Sequence, residues 1–181
     1  LSNIGYAFDL HDTLVFSSAA WDKAFTKSVS EENKKSLSLL LKNKVSRKQI
    51  AKLFQLDFVE IEESYREGLT INPKVFNLIL QLKAVYYPVL LISNAKLHRV
   101  NADLDRLNLV ELFDKVYTFE DGKKPDYSYI NNIITEQQLD LLIMVGNNEQ
   151  EDVFHHPKVL NLLIQDLHVR TDNNEPNRVL S

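Results

Sequence analysis

The sequence predicts an α/β fold built on a parallel sheet flanked by helices, with a small helical segment inserted after the first strand. Three short apolar runs carry most of this expectation: Ile4 to Phe8, Pro88 to Ile92 and Leu141 to Val145. Each reads as a buried strand and is followed at once by polar residues. Two further strand candidates, Lys115 to Phe119 and Val159 to Ile164, have helical patterns before them. Strands alternating with helices are the pattern of a parallel sheet. In open sheets of this kind ligands bind beyond the carboxyl ends of the strands, which would gather Asp9, Ser93 and Asn147 at one edge.

Between the first and second strands, Ser17 to about Leu69 lacks strand character and carries several helix starts. Ser28 with Glu31, Ser46 with Gln49 and Asp57 with Glu60 have the spacing of a reciprocal N-terminal cap. Four helices are expected. Leu37, Leu39, Leu40 and Leu41, then Ile50, Leu53 and Phe54, then Phe58, Ile61 and Tyr65 supply the apolar faces of a small bundle. Asn72-Pro73 restarts a helix leading into the second strand. These helices either cover one face of the sheet or form a separate lid, and the restart at Asn72-Pro73 favours the lid, so the expected division is a core of residues 1–16 and 70–181 with a helical cap over 17–69. The polar stretch Thr171 to Ser181 reads as a surface extension.

Composition narrows the function classes. The 181 residues suit one domain or one core with an insertion, and 44% hydrophobic with 25% charged residues is ordinary for a globular protein. A formal net charge of −4 offers no footprint for a nucleic-acid backbone. The longest apolar region, Val75 to Ile92, is broken by Asn77, Gln81, Lys83 and Pro88, so no membrane span is expected. There is no cysteine, hence no disulfide framework, thiol nucleophile or Cys-based zinc site, and no signal-peptide pattern opens the chain. Cytoplasm is the expected compartment.

Four polar segments follow the strands in order. Asp9 closes the first and is a candidate nucleophile, since a carboxylate can form a covalent intermediate that divides a hard displacement in two. The ordinary role of an aspartate there is a turn or cap. Ser93-Asn94 follows the second strand, where a hydroxyl and a helix N-terminus can hold an anion or serve as a plain N-cap. Lys124 precedes Pro125-Asp126 at a helix start and can neutralise charge on a transferred group. Gly146, Asn147 and Asp152 follow the third long run. His155-His156 is a tempting metal pair, but adjacent side chains diverge on regular structure, so a surface turn is expected.

Taken together and in this order, the segments resemble the haloacid dehalogenase-like hydrolase superfamily over Ile4 to Ile164, implying a Rossmann-like core with a helical cap. In "DLHDTL" Asp9 matches the family's nucleophile, Thr13 its threonine and Leu14 its apolar residue, while Ser93 and Lys124 match the second and third motifs. The departures are His11 at the usual acid/base aspartate, Asp12 at the motif glycine, and Asn147 at the first aspartate of the fourth motif, whose second is Asp152.

The resemblance implies Mg²⁺ held by the Asp9 carboxylate, the His11 carbonyl and Asn147, with Asp152 orienting Lys124 or a metal-bound water. Replacing a carboxylate by an amide implies weak or absent metal binding. His11 can stand in as acid/base because imidazole titrates near neutral pH. Three functions are compatible with these residues. One is a phosphatase acting on a small phosphorylated metabolite, with Thr13, Ser93 and Asn94 binding substrate. Another is a metal-independent haloacid dehalogenase using a cap arginine, Arg47 or Arg66. The third is a catalytically impaired binder of a phosphorylated ligand or a protein.

Overall fold

The computed structural model describes residues 2–164, so the expected surface extension from Thr171 lies outside the described residues. Five parallel strands form one sheet in the order β3-β2-β1-β4-β5: β1 (Ile4–Phe8), β2 (Val89–Ile92), β3 (Lys115–Tyr117), β4 (Leu141–Gly146) and β5 (Val159–Leu163). Eight α-helices flank the sheet among the described residues. The fold is thus α/β and Rossmann-like. The strand at β3 ends two residues before the sequence suggests, because the Thr118 N–H bonds the Asp121 carboxylate at 2.8 Å and turns the chain.

Central β1 aligns Phe8 with Leu91 of β2 on one side and with Val145 of β4 on the other. The chain's path along the sheet reverses between β1 and β4, which opens a crevice at their carboxyl ends. Side chains alternate across the sheet with the period of two that strands impose. Ala7, Leu90, Ile92, Leu142 and Met144 face one cluster, completed by Tyr129, Ile130, Ile133 and Ile134 of α7 (Tyr127–Glu136). Phe8, Val89, Leu91 and Val145 face the other. There α5 (Pro73–Ala84) contributes Val75, Ile79 and Leu82, and α6 (Leu97–Arg106) contributes Val100 and Leu104.

The segment between β1 and β2 holds four α-helices before α5: α1 (Ser17–Ser28), α2 (Lys34–Lys42), α3 (Arg47–Leu53) and α4 (Phe58–Gly68). Two of the expected helix starts carry a cap: Ser46 accepts from the Gln49 N–H at 3.3 Å as its spacing suggests, whereas Asp57 accepts from the Val59 N–H at 2.8 Å instead of from Glu60. Ser28 is different. It ends α1, where its hydroxyl donates to the Ala24 carbonyl at 3.0 Å, and a 3₁₀ turn at Glu31–Asn33 follows Ser30. Asn72 caps α5 through the Lys74 N–H at 3.1 Å, with Pro73 in its first turn.

Leu37, Ile50, Ile61 and Tyr65 are buried as expected, whereas Leu39 and Leu53 are 62% and 63% exposed. The centre of this packing is an aromatic stack absent from the sequence expectation. Trp21 lies 4.1 Å from Tyr65 and 6.1 Å from Phe58, ring centre to ring centre and nearly parallel. Phe25 closes it at 6.2 Å. These residues belong to the same apolar cluster as Phe8, Leu10 and Leu14, so the inserted helices and the strand share one packed interior.

Truncating the fully buried Phe25 tests that continuity. Phe25→Ala is expected to cost about 3–5 kcal/mol in urea unfolding followed by the fluorescence of Trp21, the only tryptophan. A loss under ~1 kcal/mol would contradict the packing described, since surface substitutions fall in that range.

Candidate active site

The carboxyl ends of β1 and β4 bring Asp9 and Asn147 together, and the loops after β2 and β3 add Ser93 and Lys124. Asp9 continues β1, its N–H bonding the Val145 carbonyl at 2.9 Å. Its Oδ1 accepts from Lys124 Nζ at 2.8 Å. The Lys124 side chain is fully buried, and its ammonium also contacts Asp152 Oδ1. Burial pushes the Asp9 carboxyl above its ordinary range, Asp152 adds to that push, and Lys124 opposes it. For Lys124, burial favours the neutral amine, but the Asp9 and Asp152 carboxylates outweigh it and raise the pKa.

Asp152 organises the turn after β4. Its Oδ2 accepts the N–H groups of Asn147 and Asn148, each at 3.0 Å. A Cβ on Gly146 would lie 2.3 Å from the Asp152 side chain, so only glycine permits this close approach. Asn94 performs a parallel service after β2. Its amide accepts from the Lys124 N–H at 2.7 Å and donates to the Lys124 carbonyl at 3.2 Å, clamping the lysine loop. Ser93 is buried and its hydroxyl accepts from the Ala95 N–H at 3.1 Å. The helix that follows, α6, starts only at Leu97, so a short bent loop of three residues separates Ser93 from its N-terminus.

The loop from Leu10 to Phe16 is tightly wound. Leu10's carbonyl accepts from Leu14 and Val15, and Asp12 occupies a left-handed conformation with φ 60°. Glycine adopts that region freely and aspartate pays a modest penalty. The Asp12 carboxylate recovers something by accepting the Ser18 N–H at 2.8 Å and its hydroxyl, thereby capping the first turn of α1. Thr13 is buried, its hydroxyl donating to Asp9 Oδ2 at 3.3 Å and its carbonyl accepting from Asn72 at 3.1 Å.

His11 has a partner that the sequence reading does not foresee. Its Nε2 lies 2.8 Å from Oδ2 of Asp103, a fully buried aspartate of α6. The Tyr65 hydroxyl donates to the same oxygen at 2.8 Å, and Arg66 and Arg99 stand 4.0 Å from the carboxylate. An aspartate at an i, i+4 spacing from Arg99 reads in sequence as a surface ion pair, which hid its role. A polar cavity of about 440 Å³ opens above Asp9, His11 and Ser93 and is bordered by Arg47 and Arg99. Arg47 reaches it from α3, its guanidinium 4.8 Å from the centre of the Trp21 ring. Burial, then repulsion from Arg99, lowers the Arg47 pKa.

His155 and His156 diverge as adjacent residues should, yet His156 is buried instead of lying on a surface turn. Its Nδ1 accepts the Lys158 N–H at 3.1 Å and its ring packs on Tyr127. Among the described residues no group of three or more His, Asp or Glu side chains is arranged to hold a metal. No helix among them is long and apolar enough to cross a membrane.

A family model described as haloacid dehalogenase-like hydrolase matches residues 6–155. No curated protein matches the chain in sequence. Among solved structures it is similar to the putative HAD-hydrolase YfnB from Bacillus subtilis bound to magnesium, with TM-score 0.62, 16% identity, and coverage of 94% of this chain and 99% of that one. An HAD phosphatase from Thermococcus onnurineus gives 0.58 at 18% identity, covering 94% and 97%. A putative beta-phosphoglucomutase from Thermotoga maritima gives 0.63 at 10% identity, covering 94% and 99%. Likeness at this level of identity shows the shared fold.

Magnesium, the cofactor implied by the resemblance, fits these residues poorly. Asp9 supplies the one carboxylate beside the His11 carbonyl and Asn147, and its Oδ1 is engaged by Lys124. Both oxygens of Asp152 are committed, to Lys124 and to the turn. Asn147 satisfies its neighbours only with its amide nitrogen turned inward, which presents a donor where Mg²⁺ needs oxygen.

Replacing Lys124 by an uncharged chain of similar length leaves Asp9 and Asp152 uncompensated. Lys124→Met is expected to lose about 3–5 kcal/mol at pH 7 in chemical denaturation. A carboxyl whose pKa is raised on folding binds its proton more tightly in the folded state, so stability rises as pH falls through that value. The deficit should therefore narrow between neutral pH and about pH 4. A deficit that stays constant over that span would refute the charge assignment.

Proposed function

The chain belongs to the haloacid dehalogenase-like hydrolase family, and from that footing we propose that it hydrolyses a small phosphomonoester through an aspartyl-phosphate on Asp9. The observation that carries this reading is the Asp9 carboxylate, held by Lys124 and opening into a cavity bordered by Ser93, His11, Arg47 and Arg99. Phosphoryl transfer asks chiefly for positioning and for cations around the transferred oxygens. Lys124 and the two arginines supply the positive charge, and Ser93 a hydroxyl.

In the first step an Asp9 oxygen attacks phosphorus and the bond from phosphorus to the ester oxygen breaks. The departing oxygen takes a proton from the His11 imidazolium. In the second step neutral His11 takes a proton from water, whose oxygen attacks phosphorus, and the bond to Asp9 breaks to release phosphate. With Nε2 engaged by Asp103, proton transfer falls to Nδ1. The Asp103 carboxylate stabilises the imidazolium and fixes the ring, as an orienting partner does for a catalytic base. The helices over 17–69 act as a cap that selects the substrate, with Arg47 as their contribution to the cavity. The substrate is a small phosphorylated metabolite of the cytoplasm.

A second reading, hydrolysis of a carbon–halogen bond by the same Asp9, is favoured by one feature: an amide faces Asp9 where a cation would otherwise stand, and that reaction has no phosphoryl charge to neutralise.

Hydrolysis of a panel of phosphomonoesters from about pH 5 to 9, with 2-haloacids in parallel, separates the two readings. Asp9→Asn is expected to abolish turnover, and His11→Ala to lower kcat by roughly 10²- to 10⁴-fold. Arg47→Gln should raise KM with a smaller effect on kcat, because it removes binding common to ground and transition states. Asp9-dependent release of halide without phosphate release would replace the first reading by the second.

A further inference from the structure

We propose that the Asn147 side chain is a built-in substitute for a divalent cation, so that this site assembles and holds Asp9 without metal. Asn147 follows β4, and its amide stands against three oxygens of the loop after β1. With the nitrogen inward, the amide lies 3.2 Å from Asp9 Oδ2, 3.3 Å from the His11 carbonyl and 3.2 Å from Thr13 Oγ1. With the oxygen inward it would accept only from the Thr13 hydroxyl at 3.2 Å, and would face a carboxylate and a carbonyl with no hydrogen between them. Acceptors shielded from water and left without donors are costly, and the two hydrogens of one NH₂ can be divided among the three oxygens, one of them shared.

The residue cannot relieve this by swinging its main chain away. Its N–H and that of Asn148 are both held by Asp152 Oδ2. Charge points the same way. Asp9, Asp152 and the single ammonium of Lys124 form a cluster with one net negative charge, and Asp12 and Glu151 add carboxylates to the lining of the cavity that Arg47 and Arg99 border. A carboxylate at position 147 would add a second uncompensated charge and demand a divalent ion, whereas the neutral amide does not. Each Asp9 oxygen is then assigned: Oδ1 to Lys124, and Oδ2 to Thr13 and Asn147. The nucleophile is oriented in one rotamer by the chain alone. This inference does not rest on the phosphomonoester reading, because it concerns the site before any substrate enters.

The test is magnesium binding to the full chain, followed by calorimetric titration and thermal unfolding. Magnesium chloride is taken to about 10 mM, where any dissociation constant below ~1 mM gives a visible rise in Tm. The expected result is no saturable heat and no change in Tm for the wild type. Asn147→Asp is expected to melt lower without Mg²⁺ and to recover in a saturable manner with it. Saturable uptake by the wild type below ~1 mM, with a matching rise in Tm, overturns the proposal. Should Asn147→Asp fail to fold, the wild type suffices. Its Asn147 side-chain NH₂ signal, identified in ¹⁵N-asparagine-labelled protein by its loss in Asn147→Ser, should exchange slowly and resist broadening by the paramagnetic probe Mn²⁺. Selective broadening of that signal at the first additions of Mn²⁺ refutes the substitution.

Discussion

The arrangement depends above all on one buried ammonium between two carboxylates. Lys124 is anchored in the loop after β3 and reaches Asp9 at the end of β1 and Asp152 after β4. Burying such charges costs several kcal/mol each, and the cost is met only if geometry and hydrogen bonding are complete. Completion here is local and specific. Asn94 grips the lysine's main chain, Gly146 makes room for Asp152, and the second oxygen of Asp152 ties down the turn that carries Asn147. Three separate strand ends are thereby drawn to one point.

The same economy places the proton-transfer candidate. His11 departs from the aspartate expected at its position, and its ring is held by Asp103, which the chain supplies from α6. Tyr65 of α4 donates to the same carboxylate oxygen. One buried aspartate thus joins the inserted helices, the sheet-side helix α6 and the loop after β1. Tyr65 of α4 and His11 meet on a single shared oxygen, and Trp21 stacks on Tyr65. The coupling is structural, and in the proposed reaction it lets the cap set the orientation of the acid/base group.

Each residue at which the sequence departs from the pattern the resemblance implies has its own contact in the structure. Asp12 stands at a left-handed position where glycine would be unstrained, and offsets the strain by capping α1 through Ser18. Asn147 loses a carboxylate's charge and gains two hydrogens, which the surrounding oxygens use. His11, where the resemblance implies an aspartate, is held by Asp103. Adjustments of this kind keep a polar interior satisfied, which is the condition for retaining buried ionisable groups at all.

From sequence alone one can read the sheet and its order of functional loops, because apolar runs ending in polar residues are a local pattern. Four helices after the first strand were legible for the same reason, although Leu39 and Leu53 point outward and the Ser28 cap is a helix end. Asp9, Ser93 and Asn147 were expected at one edge of the sheet from the apolar runs before them, Lys124 was singled out at a helix start and Thr13 through the family resemblance, and the fold brings all five together. What stayed hidden were the pairings: Asp103 with His11, Trp21 with Tyr65, Arg47 with the cavity, and the inward face of the Asn147 amide. These contacts join residues 26 to 138 positions apart, and their partners carry no spacing that marks them. Hydrogen-bond direction and charge compensation are properties of neighbours in space, so only the folded chain decides them.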